Sequence, residues 1–174
     1  MKHLIQSAWS NRRPYNLSRL VKRASVPKDF EGDVPETPGA YVIYKTGETD
    51  PGNAILDIGE CGPRLGWRPH GLRGRLASRV PHSASERIAA DIREGGLKSD
   101  HLFVVWMACA SKADAKLMQD GLISLFVREF GRQPAYNRKR EYCADASGFE
   151  AIYDGLKALV SSSVGGVRGR KAST

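Results

Sequence analysis

Tyr41 and Asp57 lie on two short apolar runs, AYVIY and AILDI, that flank the turn-forming stretch TGETDPGN. Folded as a hairpin, the runs bring a phenol and a carboxyl close enough to share one pocket, where the carboxyl can act as a base. Downstream, residues 61–85 carry Arg64, Arg68, Arg73, Arg75 and Arg79, together with His70 and His82, and no acidic residue. A guanidinium fork binds two phosphate oxygens at once, so an arginine-dominated, acid-free segment suits phosphate contacts better than general solubility. Arg75 is the clearest of the set, because it follows a glycine-rich loop and has few carboxylates nearby in sequence to neutralise it.

The chain of 174 residues has a formal net charge of +8. Further basic groups are Arg12, Arg13, Arg19, Lys22 and Arg23 near the start, Arg138, Lys139 and Arg140 past the middle, and Arg168, Arg170 and Lys171 near the end. Four basic groups in one small chain point to a polyanion, and among polyanions to nucleic acid. Double-stranded DNA is preferred to RNA, since only Trp67 offers an aromatic within the basic loop and single-strand recognition commonly uses several for stacking. The expected nucleic-acid contacts are Arg12, Arg13, Arg64, Arg68, His70, Arg73, Arg138 and Lys139. Other classes recede. Cys61, Cys109 and Cys143 are far apart and form no paired Cys-x-x-Cys pattern, which argues for reduced, buried thiols over a zinc site. Neither a membrane-spanning apolar window nor a secretory apolar core is present, so the expected location is cytoplasmic and no membrane partner is expected. No phosphate-cradling loop of the G-x-x-x-x-G-K-[S/T] kind occurs.

The elements that must hold these groups can be read from local pattern. Residues 1–37 read as a basic extension and linker, with an amphipathic helix over Leu17–Lys22. The hairpin spans about residues 39–59, and period-two alternation places Tyr41 and Ile43 on one face with Ala40, Val42 and Tyr44 on the other. GLRGRLASRV is a short helix stopped by Pro81. SASERIAADIREGG is a helix that Ser83 and Glu86 can cap and that Gly95-Gly96 ends. HLFVVWMACA is a buried strand, and Ser111, with Asp114 three residues on, opens a long helix that ends before Gly131. A last helix near 147–160 carries Phe149, Ile152, Tyr153, Leu156 and Leu159 at helical spacing. The fold class is α/β (α+β), a three-stranded antiparallel sheet flanked by helices in the order β-β-α-α-β-α, plus the C-terminal helix. The organisation is an extension over 1–37, a domain over 38–140, a packing helix over 141–162 and a basic tail over 163–174.

Five pieces in order, PGAYVIY, ILDIGECG, LRGRLASR, MQDGLISLF and PAYN, resemble the motif series of the GIY-YIG nuclease domain family over about residues 38–137. Gly39-Ala40-Tyr41 corresponds to the first half of the family name and Asp57-Ile58-Gly59 to the second. The resemblance implies phosphodiester hydrolysis with one divalent cation, Mg²⁺ or Mn²⁺, a tyrosine-assisted water as nucleophile and an arginine steadying the phosphate. It implies a site of Tyr41, Asp57, Arg75, Arg79, Gln119 and Asn137, with the metal at Gln119. Three positions depart from the pattern: Asp57 replaces a tyrosine, Arg79 a histidine or tyrosine, and Gln119 the metal-binding glutamate. Glutamine lacks the charge a hard dication prefers, which makes Asp57 the candidate substitute ligand. Three readings stay open: a metal-dependent DNA endonuclease with an altered site, a degenerate relative that grips nucleic acid without cutting it, and an endonuclease disabled by a glutamate-to-glutamine change at Gln119.

Overall fold

The run GAYVIYK alternates side chains between two faces of a strand, and all but the last residue are buried, so both faces must be covered. The computed structural model describes residues 9–10, 13–15, 33–62, 71–77, 83–138 and 145–162. Its strands are β1 Arg13–Pro14, β2 Gly39–Lys45, β3 Ile55–Cys61 and β4 Leu102–Ala108. They form one antiparallel sheet in the spatial order β1-β4-β2-β3. The helices among the described residues are α1 Pro51–Ala54, α2 Gly71–Leu76, α3 Ser83–Arg93, α4 Lys112–Phe130 and α5 Glu150–Ser161. Short 3₁₀ turns precede β4, at Ser99–His101, and α5, at Ser147–Phe149.

The sheet divides the core in two. On one face Ala40, Val42, Tyr44, Ile58, Val105 and Met107 pack against Met118, Leu122 and Phe126 of α4 and Ile152 and Leu156 of α5. On the other, Tyr41, Ile43, Val104 and Trp106 meet Leu72 and Leu76 of α2, Ala84 and Ile88 of α3, and Tyr15 and Val34. The alternation expected for β2 is therefore the observed one. Antiparallel pairing sets Tyr41 opposite Gly59 and Ile43 opposite Asp57. Residues directly opposite share a face, so Asp57 joins Tyr41 on the α2–α3 side. A bulge between Ile43 and Tyr44 then shifts the register, and Tyr44 faces Ile55.

The expectation of three strands is corrected to four. Arg13 and Pro14 pair antiparallel with β4, and main-chain bonds lie on both sides of them: Ser10 N donates to Trp106 O at 2.8 Å and Tyr15 N to Leu102 O at 2.8 Å. Without them β4 would be a long apolar edge with open hydrogen-bonding groups, and a two-residue strand ending in proline covers it without inviting further pairing. Part of the supposed extension thus belongs to the sheet, with Tyr15 buried and Trp9 Nε1 donating to Ile152 O at 3.0 Å. The helix expected over Leu17–Lys22 and the tail over 163–174 lie outside the described residues. A second departure is α1, a single turn inside the hairpin loop. Its signal was legible: Asp50 Oδ1 accepts from Gly52 N at 2.9 Å and Pro51 occupies the first helical position.

The long helix begins and ends where its caps dictate. Ser111 Oγ accepts from Asp114 N at 3.1 Å, and Gly131 closes the helix with φ 67°. Gly59 has a different reason. A methyl group there would fall 2.6 Å from Tyr41 Cε1, and closer still to Cζ, so the bare backbone of β3 is the floor on which the phenol lies. Gly155 in α5 faces open space. Gly59→Ala should therefore cost about 1–3 kcal/mol through overpacking, whereas Gly155→Ala should add about 0.5–1 kcal/mol. Urea unfolding of the two variants beside the parent measures both, and equal effects would remove the stacking role given to Gly59.

Candidate active site

Tyr41 and Asp57 are each only 3% exposed. The Tyr41 hydroxyl donates a hydrogen bond to the Asp57 carboxylate, while Asp57 Oδ2 is buried with no hydrogen-bond partner among the described residues. Burial raises the Asp57 carboxyl from an ordinary 3.8 to about 6, against the opposing pull of the Tyr41 bond and of the Arg87 and Arg75 guanidiniums. The Tyr41 phenol moves well above its usual range, first by burial, then by the Asp57 charge, with Arg75 pulling the other way. At neutral pH this is a neutral phenol holding a mostly ionised carboxylate. The proton acceptor of the pair is Asp57, not a tyrosinate.

Two guanidiniums act on the pair from different helices. Arg75, on α2, is half-buried and makes no hydrogen bond or ion pair among the described residues. Its helix is fastened by its first turn: Leu72 N donates to Thr37 O and Arg73 N to Pro35 O, both at 2.9 Å. Gly71 sits there at φ 62° with Thr37 O pressed against it, a place no side chain could share. The second guanidinium, Arg87 on α3, was not anticipated. Glu86 beside it ends the acid-free segment, and the position borders the buried stripe of Ala84 and Ile88 rather than any motif. Its location on that border was the available signal. Arg87 Nη2 donates to Tyr136 O, Nε to Ser83 O at 3.4 Å, and its guanidinium lies 5.6 Å from the Tyr136 ring centroid.

The edge of β3 that carries Asp57 is capped by the segment around Asn137. Tyr136 N donates to Leu56 O at 2.9 Å. The Asn137 side chain then serves both outward groups of Ile58, accepting from Ile58 N at 3.0 Å and donating to Ile58 O at 2.7 Å. An amide thus stands in for a missing neighbouring strand, on either side of Asp57. Gln119 Nε2 reaches the same Ile58 carbonyl at 3.0 Å, but from α4, which covers the opposite face. Gln119 and Asn137 therefore meet each other at Ile58, while Tyr41, Asp57, Arg75 and Arg87 gather on the α2–α3 side. Glu60 opposes Ala40 and so faces α4, with Oε2 buried and without a hydrogen-bond partner among the described residues.

The remaining expected contacts divide three ways. Arg73 is an internal fastener: Nε donates to Val34 O at 2.8 Å and Nη1 to Glu36 at 2.7 Å. Arg13 pairs with Asp33, and Arg138 is exposed. Arg12, Arg64, Arg68, His70, Arg79 and Lys139 lie outside the described residues, as does Cys143. The other two cysteines are free and buried, and burial pushes the Cys61 thiol up to about 12, which leaves it unreactive.

The described residues do not fit the divalent ion that the motif series implies. Gln119 spends its amide nitrogen on Ile58 O from the wrong face, and Asp57 is a single carboxyl flanked by two cations. Among the described residues, no three of His, Cys, Asp and Glu are grouped to hold a metal. No described helix is long and apolar enough to cross a membrane. No protein-family model, no curated protein and no solved structure matches the chain.

The Asp57 carboxyl has a thermodynamic consequence. Because its pKa is raised in the folded state, the native protein holds this proton more tightly than the unfolded chain between pH 3.8 and about 6, and stability falls as pH rises through that window. The loss from this group is on the order of 3 kcal/mol. Asp57→Asn removes the titration but keeps an acceptor for Tyr41. Its thermal stability relative to the parent should improve from pH 4 to pH 7, and a difference independent of pH would show that the carboxyl is not held in this buried state.

Proposed function

We propose that the protein hydrolyses phosphodiester bonds in DNA, as the GIY-YIG-type series implies, at the pocket formed by Tyr41, Asp57 and Arg75. The observation that carries this reading is a half-buried guanidinium with no ion pair among the described residues, beside a buried carboxylate whose Oδ2 has no hydrogen-bond partner among them. Buried polar groups are normally satisfied, and an open carboxylate oxygen close to a cation without an ion pair among the described residues supports a role toward substrate. A mixed α/β fold with an antiparallel sheet is compatible with that series.

In this reading Arg75 binds the non-bridging oxygens of a backbone phosphate and stabilises the charge that grows on them in the transition state. Asp57 Oδ2 takes a proton from water as the water oxygen forms the new bond to phosphorus. The bond from phosphorus to the leaving sugar oxygen breaks, and that oxygen takes a proton from solvent. Asp57 then returns its proton to solvent. Tyr41 keeps the other carboxylate oxygen hydrogen-bonded, so that Oδ2 faces the water.

A second reading, nucleic-acid binding without cleavage, is favoured by the uncharged, main-chain-bound Gln119. Supercoiled plasmid separates the two. The parent protein should nick it with Mg²⁺ or Mn²⁺ in the buffer, and Arg75→Ala and Asp57→Asn should each lose at least about a hundredfold in rate. Plasmid that stays supercoiled, while duplex DNA is still bound with a steep salt dependence, would decide for the binding module.

A further inference from the structure

We propose that Arg87 is a second phosphate-contacting guanidinium, facing Arg75 across the Tyr41–Asp57 pair, and that the two arginines supply the positive charge a divalent ion would otherwise bring. The inference rests on the preceding reading of the pocket as a phosphodiester site. It adds a residue to that site and removes the need for a metal.

Three observations carry it. Arg87 is anchored on the side away from its free donors: Nε is directed to Ser83 O and Nη2 to Tyr136 O, with the ring of Tyr136 beneath the guanidinium. Nη1 has no acceptor among the described residues. A guanidinium has five N–H groups in a fixed plane, so one held by two carbonyls still offers donors pre-oriented for a phosphate. Second, the anchor is tied to β3 on both sides of Asp57. Tyr136 binds Leu56 O, Asn137 binds both main-chain groups of Ile58, and Tyr136 is itself braced by its hydroxyl on Asp91. The Arg87 guanidinium is therefore tied, through the Tyr136 main chain and the Asn137 amide, to the backbone on both sides of Asp57. Third, the donor set does not fit a metal, as shown by Gln119 on the opposite face. Two cations and one carboxylate leave a net positive hollow, which suits a phosphate monoanion and disfavours a dication.

The geometry assigns distinct tasks. Arg75 comes from a six-residue helix held at its first turn, and Arg87 from an eleven-residue helix packed through Ala84 and Ile88. Approaching from separate helices, they can contact different non-bridging oxygens of one phosphate, leaving the in-line path to Oδ2 open to water.

The test uses the full-length protein stripped with EDTA. Binding of a fluorescein-labelled duplex is followed by anisotropy, and nicking of supercoiled plasmid by gel, each in chelator and again with added Mg²⁺. Duplex affinity and nicking in chelator should lie within about twofold of the values with Mg²⁺. Arg87→Gln should weaken duplex binding and slow nicking by about tenfold or more, without recovery on adding Mg²⁺, and Arg87→Lys should recover part of the binding. Because Arg87 also braces Tyr136, circular-dichroism melting confirms that each variant is folded, and the chelator comparison on the parent needs no variant. Nicking that appears only with Mg²⁺ and survives Arg87→Gln would overturn the inference and leave the phosphodiester reading standing. Absence of nicking in every buffer, with binding indifferent to both Arg75→Ala and Arg87→Gln, would overturn both. Binding that needs Arg75 but not Arg87 would overturn the role of Arg87 alone.

Discussion

Asp57 puts a carboxyl on a sheet face otherwise lined by Tyr41, Ile43, Leu72, Ile88 and Val104, and a charge there is tolerable only if neighbours replace the water it has lost. One oxygen receives the Tyr41 hydroxyl, and Arg75 and Arg87 supply opposite charge at longer range. The second oxygen has no hydrogen-bond partner among the described residues. Most of the surrounding architecture is organised by this residue: the bulge after Ile43 fixes its register, Gly59 makes room for the phenol, and the edge cap at Leu56 and Ile58 holds its backbone from both sides.

That cap links stability to chemistry. β3 is an outer strand, and its outward N–H and C=O groups would be solvated or available to another chain if Tyr136, Asn137 and Gln119 did not take them. Because Tyr136 also receives Arg87, a single segment satisfies the edge and orients a cation. The strand bearing the acid and the helix bearing the cation are thereby joined through that segment. A polar amide at position 119 serves that purpose as a donor to Ile58 O, a task a carboxylate could not perform. This gives Gln119 a reason that is independent of any ancestral metal site.

The opposite end of the sheet is protected by another device. Arg13–Pro14 add a short strand to β4, and Trp9 reaches across to α5. The outer edge of β4 is thereby paired and that of β3 capped, so the three long strands β2, β3 and β4 are largely buried without a barrel. Arg13, in this N-terminal arm, pairs with Asp33 and is less available to a polyanion than its charge alone suggests.

Local pattern determined a good deal of this. The alternation of AYVIY, the Ser111–Asp114 cap and the glycine exits at 95 and 131 each reflect interactions within a few residues, and the structure has them where the sequence places them. The shared face of Tyr41 and Asp57 was legible for the same reason, since a hairpin converts a short sequence separation into a cross-strand contact. The single turn at Pro51–Ala54 was legible too, in Asp50 and Pro51, though a turn motif and a one-turn helix differ by little. What the tertiary structure alone decided concerns partners far apart in the chain: the fourth strand, the commitment of Arg73 to residues 34–36, the side of the sheet from which Gln119 approaches, and Arg87. Each of these depends on which main-chain groups are left unsatisfied after the sheet has assembled. No local periodicity encodes that, because the need arises only when the edges exist.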